Sequence, residues 1–235
     1  MPPEPIAIEY VEVARAESER GELVLRERRP VDGGPTSLEL RANGVFVMDT
    51  VEVSTERAMA RAALDVVESP KAVVVAGLGL GYTMHEVLAD SRVERCAVVE
   101  IESSLVEWMR AGLVPEGPAL MADERVAVVV ADVAVALAEA RPASYDLVLL
   151  DVDNGPGHLV HDTNAALYEA PALTDARRVL RPGGALVVWS ADASDELEES
   201  LRAVFESVDV LPQEVRLQER DEHYWLYVAR VPSES

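Results

Sequence analysis

Four carboxylates stand out by their place in the chain. Glu100, Asp132, Asp151 and Asp153 each fall at or just beyond the end of a short apolar run. All-apolar runs of that length read as strands buried on both faces, and ligands of open α/β sheets bind beyond the carboxyl ends of such strands. Asp151 and Asp153, in the segment YDLVLLDVDNGPG, are therefore the candidate catalytic pair. Two close carboxylates attract a sulfonium or an amine, and one with a raised pKa accepts a proton from an attacking nucleophile. The loop is also rich in Asx-turn residues and suits a purely structural turn. Asn154, His158, His161 and Tyr168 follow as candidate substrate contacts, with surface histidines and a core aromatic as the plain alternatives. No spacing enforces a metal site, and none is expected.

Upstream, the run KAVVVA enters Gly77-Leu78-Gly79-Leu80-Gly81 and then a helical stretch. Glycines there let the backbone turn tightly and approach a ligand in front of a helix N-terminus. A dinucleotide fingerprint needs glycine or alanine where Tyr82 stands, so a nicotinamide oxidoreductase is disfavoured. Gly77, Gly79 and Gly81 instead have the G-x-G-x-G form used for adenosylmethionine-type nucleosides. Glu100 ends the next strand, 19 positions after Gly81, where a carboxylate accepts bonds from both ribose hydroxyls. Asp132 follows the third strand, suited to receive an adenine amino group or to cap the next helix.

The elements that must hold these residues fall into two textures. In residues 5–53, Ile6, Ile8 and Tyr10 alternate, followed by Leu23 and Leu25, Leu38 and Leu40, and Val45 and Val47. Asn43-Gly44 is a strong hairpin signal, because both residues tolerate positive φ. This predicts a small antiparallel β-domain over 1–53, packed on an α/β domain over 54–235. Ser54 or Thr55 is the expected cap of a first helix, with Glu56 in its first turn and Met59, Ala62, Ala63, Val66 and Val67 as its apolar stripe; Pro70 ends it. Strands are expected at 72–76, 97–101, 126–130, 147–151 and 185–190, and helices at 82–89, 103–112, 133–140 and 163–180. Arg181-Pro182-Gly183-Gly184 reads as a turn before the fifth strand. An acidic helix at about 195–206 precedes a closing hairpin of 208–217 and 224–231. The fold class is α/β: a doubly wound, mostly parallel Rossmann-like sheet with a small N-terminal antiparallel β-domain.

Composition narrows the partners. The chain has 235 residues, with 43 Asp plus Glu against 21 Lys plus Arg, a formal net charge of −22. No basic footprint exists to displace counterions, which argues against nucleic acid. No apolar run is long enough for a membrane span, and the N-terminal residues lack the grammar of a secretory signal. The single cysteine, Cys96, fits a reducing cytoplasm, where this protein is expected. The acidity reads as a solvated surface first and as attraction for a cationic substrate second.

Taken together, these segments resemble the spermidine synthase (polyamine aminopropyltransferase) family, within the class I methyltransferase-like fold. VVVAGLGLGYTMHEVL is similar to the family's glycine-rich strand–helix segment, and VVEIE to the segment whose acid holds the ribose, here Glu100. ADV supplies Asp132 on the adenine side, and YDLVLLDVDNGPG resembles the strand and loop of the family's catalytic aspartate, here Asp151. Tyr168 matches an aromatic in the following helix, LRPGGALVV closes the match, and NGVFVMDT resembles the hairpin of the family's small β-domain. The resemblance implies S-adenosylmethionine or its decarboxylated form as co-substrate, a small-molecule acceptor with amines among the candidates, and a homo-oligomer such as a dimer.

Three positions depart from the family. Leu80 stands where a glycine-loop aspartate binds the aminopropyl amine, and Asn154 stands where the second catalytic-loop aspartate is expected, although Asp153 is near enough to substitute. The helix after the hairpin, where the family carries a Tyr-His-Glu segment facing the polyamine, has Thr55-Glu56-Arg57-Ala58-Met59-Ala60 instead and lacks that segment. Leu80 tips the expectation toward methyl transfer by a S-adenosylmethionine-dependent transferase of unknown acceptor. Aminopropyl transfer to a polyamine is the alternative, and a non-catalytic binding or scaffold protein is the alternative from another class.

Overall fold

The computed structural model describes residues 7–152, 162–217 and 220–233. Its first part is a four-stranded antiparallel sheet of β1 (Ile8–Ser18), β2 (Gly21–Pro30), β3 (Ser37–Ala42) and β4 (Val45–Asp49), in that spatial order. Asn43 and Gly44 both adopt positive φ, 52° and 76°, and pair Ala42 with Val45 as a two-residue hairpin requires. Helix α1 (Ser54–Val66) leads into the second sheet. Its N-cap is Val53, which makes no side-chain cap bond, so the expected Ser54 or Thr55 cap is corrected. The reason is local competition: the Ser54 hydroxyl bonds the Glu52 carboxylate and the Thr55 hydroxyl bonds Glu56.

The central sheet contains β5 (Ala72–Ala76), β6 (Arg95–Glu100), β7 (Val126–Val130), β8 (Tyr145–Leu150), β9 (Leu180–Ser190), β10 (Ser207–Leu217) and β11 (Arg220–Arg230). Their spatial order is β10-β11-β9-β8-β5-β6-β7. Strands β5 to β9 run parallel, and β11 and β10 close the edge antiparallel, as the tail hairpin predicts. Helices α2 (Tyr82–Ala89), α3 (Ser103–Ala111), α5 (Val133–Glu139), α6 (Ala170–Val179) and α7 (Asp195–Val204) fall in the connections, with a short α4 (Gly117–Met121). The strand period of two sorts the core. Val73, Val75, Leu147 and Leu149 pack on one face with α1, α2, α3 and the N-terminal sheet's Leu25 and Leu40. Val74, Ala76, Val148 and Leu150 pack on the other with α5, α6 and α7.

Two boundaries differ from the sequence expectation. The 163–180 stretch is not one helix but a 3-10 helix (Asp162–Tyr168) followed by α6, which carries a proline in its first two positions. Pro171 inside a continuous helix would remove a bond and clash with the preceding turn, whereas in the first turn it costs nothing. Arg181-Pro182-Gly183-Gly184 lies within β9 rather than before it, as an irregular excursion: Leu180 pairs with Tyr145, but Ala185 is already opposite Leu147. Helix α4, only five residues long, carries no periodic signal that a sequence reading can use.

Strand order reverses between β5 and β8, the two central neighbours from which the chain proceeds to opposite edges. That is the switch point at which the connections leave a crevice beyond the strand ends.

Candidate active site

A cavity opens at this crevice. Its floor comes from the ends of β5, β6, β7 and β8, which supply Gly77, Glu100, Asp132 and Asp151, and its walls from the N-terminal sheet, α1 and α2. The structure thus brings together one candidate from each of four strands. Asp153, Asn154, His158 and His161 lie outside the described residues. Tyr168 is buried, 4% exposed, in the core cluster with α6 and α7 and is not among the cavity-lining residues.

The glycine loop is shaped by close backbone packing. Gly77, at φ 95°, donates its N–H to Val99 O at 2.9 Å, and a Cβ on it would sit 2.0 Å from the carbonyl oxygen of Asp151. The loop and the end of β8 therefore touch backbone to backbone, which no L side chain at position 77 permits. A Cβ on Gly79 would meet the Met48 sulfur at 2.7 Å, and Leu80 N–H points to that sulfur at 3.2 Å. Gly81 caps α2 in the left-handed region and packs against Met109 and Leu120, away from the cavity lining. Leu80 is only 2% exposed and also does not line the cavity.

Glu100 is held in one orientation. Leu78 N–H donates to its Oε2 at 2.9 Å and Glu102 N–H to its Oε1 at 2.7 Å. Each oxygen keeps a lone pair for a diol on the cavity side. Burial, and then the charge of Glu102, raise its pKa, while backbone donors from Glu102, Leu78 and Ile101 oppose that rise. Asp132 does two things that its sequence position allows. It caps α5, accepting from Ala134 N–H at 2.8 Å, and it is exposed to the cavity.

Asp151 is strongly perturbed. Its pKa is pushed up to about 7, chiefly by burial and then by the charge of Glu56, while a 3.3 Å hydrogen bond from the Thr83 hydroxyl works the other way. A buried acid poised near neutrality is what a general base needs.

Several lining residues are not among the candidate site residues expected from the sequence. Glu56, from the first turn of α1, lines the cavity and has its own pKa raised by burial. Its signal was available: Met59, Ala60 and Ala63, at i+3, i+4 and i+7, are fully buried, so Glu56 is an acid continuing an apolar stripe. Arg20, in the β1–β2 turn, lines the cavity and reaches Glu102, with Nε 3.3 Å from Oε1; Ser18 donates to the same oxygen at 3.4 Å. These contacts tie the N-terminal sheet to the residue two beyond Glu100. Tyr82 and Trp189 add rings, and the buried Trp189 indole N–H has no partner among the described residues. Among the described residues no group of three or more His, Cys, Asp or Glu is placed to hold a metal, and no helix is long and apolar enough to cross a membrane.

Comparison with known proteins places this geometry. Residues 52–216 match the family model of the spermine/spermidine synthase domain. The chain belongs to the spermine/spermidine synthase family. It is 32% identical over 152 residues to polyamine aminopropyltransferase 2 of Pseudomonas aeruginosa, covering 60% of this chain and 41% of that one. It is 30% identical over 118 residues to putrescine N-methyltransferase 3 of Nicotiana tabacum, covering 50% and 29%. The chain thus matches less than half the length of either relative. Among solved structures, a spermidine synthase in complex with the transition state analogue AdoDATO superposes with a TM-score of 0.78 at 17% identity, covering 95% of this chain and 75% of that one. The spermidine synthase of Thermotoga maritima gives 0.77 at 17% identity, covering 95% and 74%. At that identity the likeness establishes the fold: a spermidine-synthase-type sheet with an N-terminal antiparallel sheet.

Proposed function

We propose that this family member is a group transferase. It moves a carbon group from an S-adenosylmethionine-type nucleoside to a small-molecule acceptor. The observation that carries the reading is the shared cavity of Glu100, with both oxygens oriented by backbone donors, and Asp151, with its pKa near 7. Glu100 would hold the ribose hydroxyls and Asp132 the adenine amino group, while Gly77 and Gly79 leave the backbone open beside the sulfonium. Asp151 orients the acceptor and receives its proton as the nucleophile bonds to the carbon next to sulfur. The carbon–sulfur electron pair leaves with the sulfur as a neutral thioether, so charge and atoms balance. Holding the two reactants in line supplies much of the rate.

Methyl transfer is the favoured form. Leu80, where the resemblance expects the carboxylate for an aminopropyl amine, is turned into the core. Aminopropyl transfer is the second reading, favoured by the 32% identity to a polyamine aminopropyltransferase. Product analysis separates them: release of adenosylhomocysteine from adenosylmethionine supports methyl transfer. Release of methylthioadenosine from decarboxylated adenosylmethionine with putrescine supports aminopropyl transfer, and neither product with any amine offered leaves the non-catalytic alternative.

A further inference from the structure

Met48, in β4 opposite Leu40, reaches from the N-terminal sheet to the glycine loop. Three N–H groups of that loop are given to oxygens: Gly77 to Val99 O, Leu78 to Glu100 Oε2, and Gly81 to Leu78 O at 2.9 Å. The Leu80 N–H goes instead to the Met48 sulfur, at 3.2 Å. The same sulfur lies so close to Gly79 that a Cβ there would be 2.7 Å away. The transfer step gives this thioether no task, and leucine has nearly the same volume. What sets the sulfur apart is that it can be oxidised and reduced again.

Access singles this methionine out. Met48 is half-buried and lines the cavity beside Gly77, Leu78 and Gly79. Met59, Met84 and Met109 are at most 1% exposed, and Met121, half-buried, is not part of the cavity lining. Cys96, the single cysteine, is buried, so its thiol does not compete for an oxidant. Hydrogen peroxide entering the cavity therefore meets the Met48 sulfur first.

The chemistry is a two-electron oxidation. A sulfur lone pair attacks one peroxide oxygen, the O–O bond breaks, and the other oxygen keeps the pair and leaves as water. The oxygen now on sulfur has little room. Toward the loop it runs into the backbone of Gly79 and Leu80. Toward the cavity it takes the space in front of Gly77 and Gly79 and sets a polar atom among Leu23, Leu40 and Val47. If it accepts the Leu80 N–H itself, it stands between loop and sulfur and drives the side chain into the cavity. Each outcome narrows the space in front of the glycine loop.

We propose that Met48 is a redox-modification site: a hydroperoxide converts it to the sulfoxide, which closes the nucleoside cavity until the sulfoxide is reduced. A bound nucleoside covers the sulfur, so the occupied site is protected and the empty one is sensitive. This rests on the nucleoside-binding reading of the cavity.

The test uses the full chain, hydrogen peroxide, and whichever of adenosylmethionine, its decarboxylated form and methylthioadenosine binds most tightly as the probe. Peptide mass mapping should find one added oxygen on Met48 before any on Met59, Met84 or Met109. Probe at ten times its Kd should slow that addition about tenfold, because free sites fall by 1 + [L]/Kd. By calorimetry, the singly oxidised chain should bind the probe at least about tenfold more weakly, the scale of one polar group left unpaired. Methionine sulfoxide reductases of both stereospecificities, with a dithiol, should restore mass and affinity in the wild-type chain itself. Met48→Leu should bind within about threefold of wild type and keep that affinity after the same peroxide treatment. No oxidation of Met48 in the native chain, oxidation without loss of affinity, no protection by the probe, or equal loss in treated Met48→Leu overturns this inference alone. Failure of untreated wild type to bind any of the three nucleosides overturns the transferase reading and this inference with it.

Discussion

Replacing Asp151 with asparagine should stop transfer and, at the same time, stabilise the fold. Asp151 has its pKa raised from an ordinary 3.8 to about 7, chiefly by burial. The folded protein therefore keeps this proton between about pH 4 and 7 while the unfolded chain releases it, so folding stability falls as pH rises across that window and then levels off. At about 1.36 kcal/mol per pH unit, the penalty is up to about 4 kcal/mol at pH 8 and about 1.6 kcal/mol at pH 5. Asparagine, nearly the same size, never ionises and still accepts the Thr83 hydroxyl. For a chain of 235 residues, thermal melts should place Asp151→Asn above wild type by roughly 10 °C at pH 8 and roughly 4 °C at pH 5. Equal melting temperatures at pH 8, or a difference that does not change with pH, would refute the buried-acid reasoning.

Other consequences follow from the same contacts. The acceptor kcat/KM should rise with pH through about 7 as Asp151 ionises, and a pH–rate profile that is flat from pH 6 to 8 would remove Asp151 as the base. Gly77→Ala should destabilise by roughly 2–5 kcal/mol in urea titration, since its methyl would sit 2.0 Å from the Asp151 carbonyl at a φ of 95°. Cys96, buried and with its thiol pushed up to about 12, should resist Ellman's reagent at pH 8 until the protein is unfolded.

The strands that carry the site were legible because each is a continuous apolar run closed by a polar residue. AVVVA and YDLVLL have no other good reading, and Gly77 and Asp151 follow from their ends, as Glu100 and Asp132 do from the ends of β6 and β7. What escaped was set by packing rather than by local pattern. Pro171 splits the expected long helix, and the Arg181–Gly184 turn is absorbed into β9 because Gly183 N–H bonds back to the carbonyls of Val231 and Pro232. Glu56 could be placed on a buried face from its spacing, but its meeting with Asp151, 95 positions later, depends on α1 crossing the sheet end. The approach of Arg20 to Glu102 is likewise a product of how the N-terminal sheet docks, which no local signal in the β1–β2 turn encodes.

Glu100 and Asp151 line one cavity, and the central proposal is that this cavity binds a nucleoside. The most direct measurement is calorimetric titration of the wild-type chain and Glu100→Ala with adenosylmethionine, its decarboxylated form and methylthioadenosine. Wild type should bind at least one of them, and Glu100→Ala, stripped of the ribose acceptor, should weaken that binding by at least about tenfold. No heat from any of the three with wild type, or equal affinity in Glu100→Ala, would contradict it.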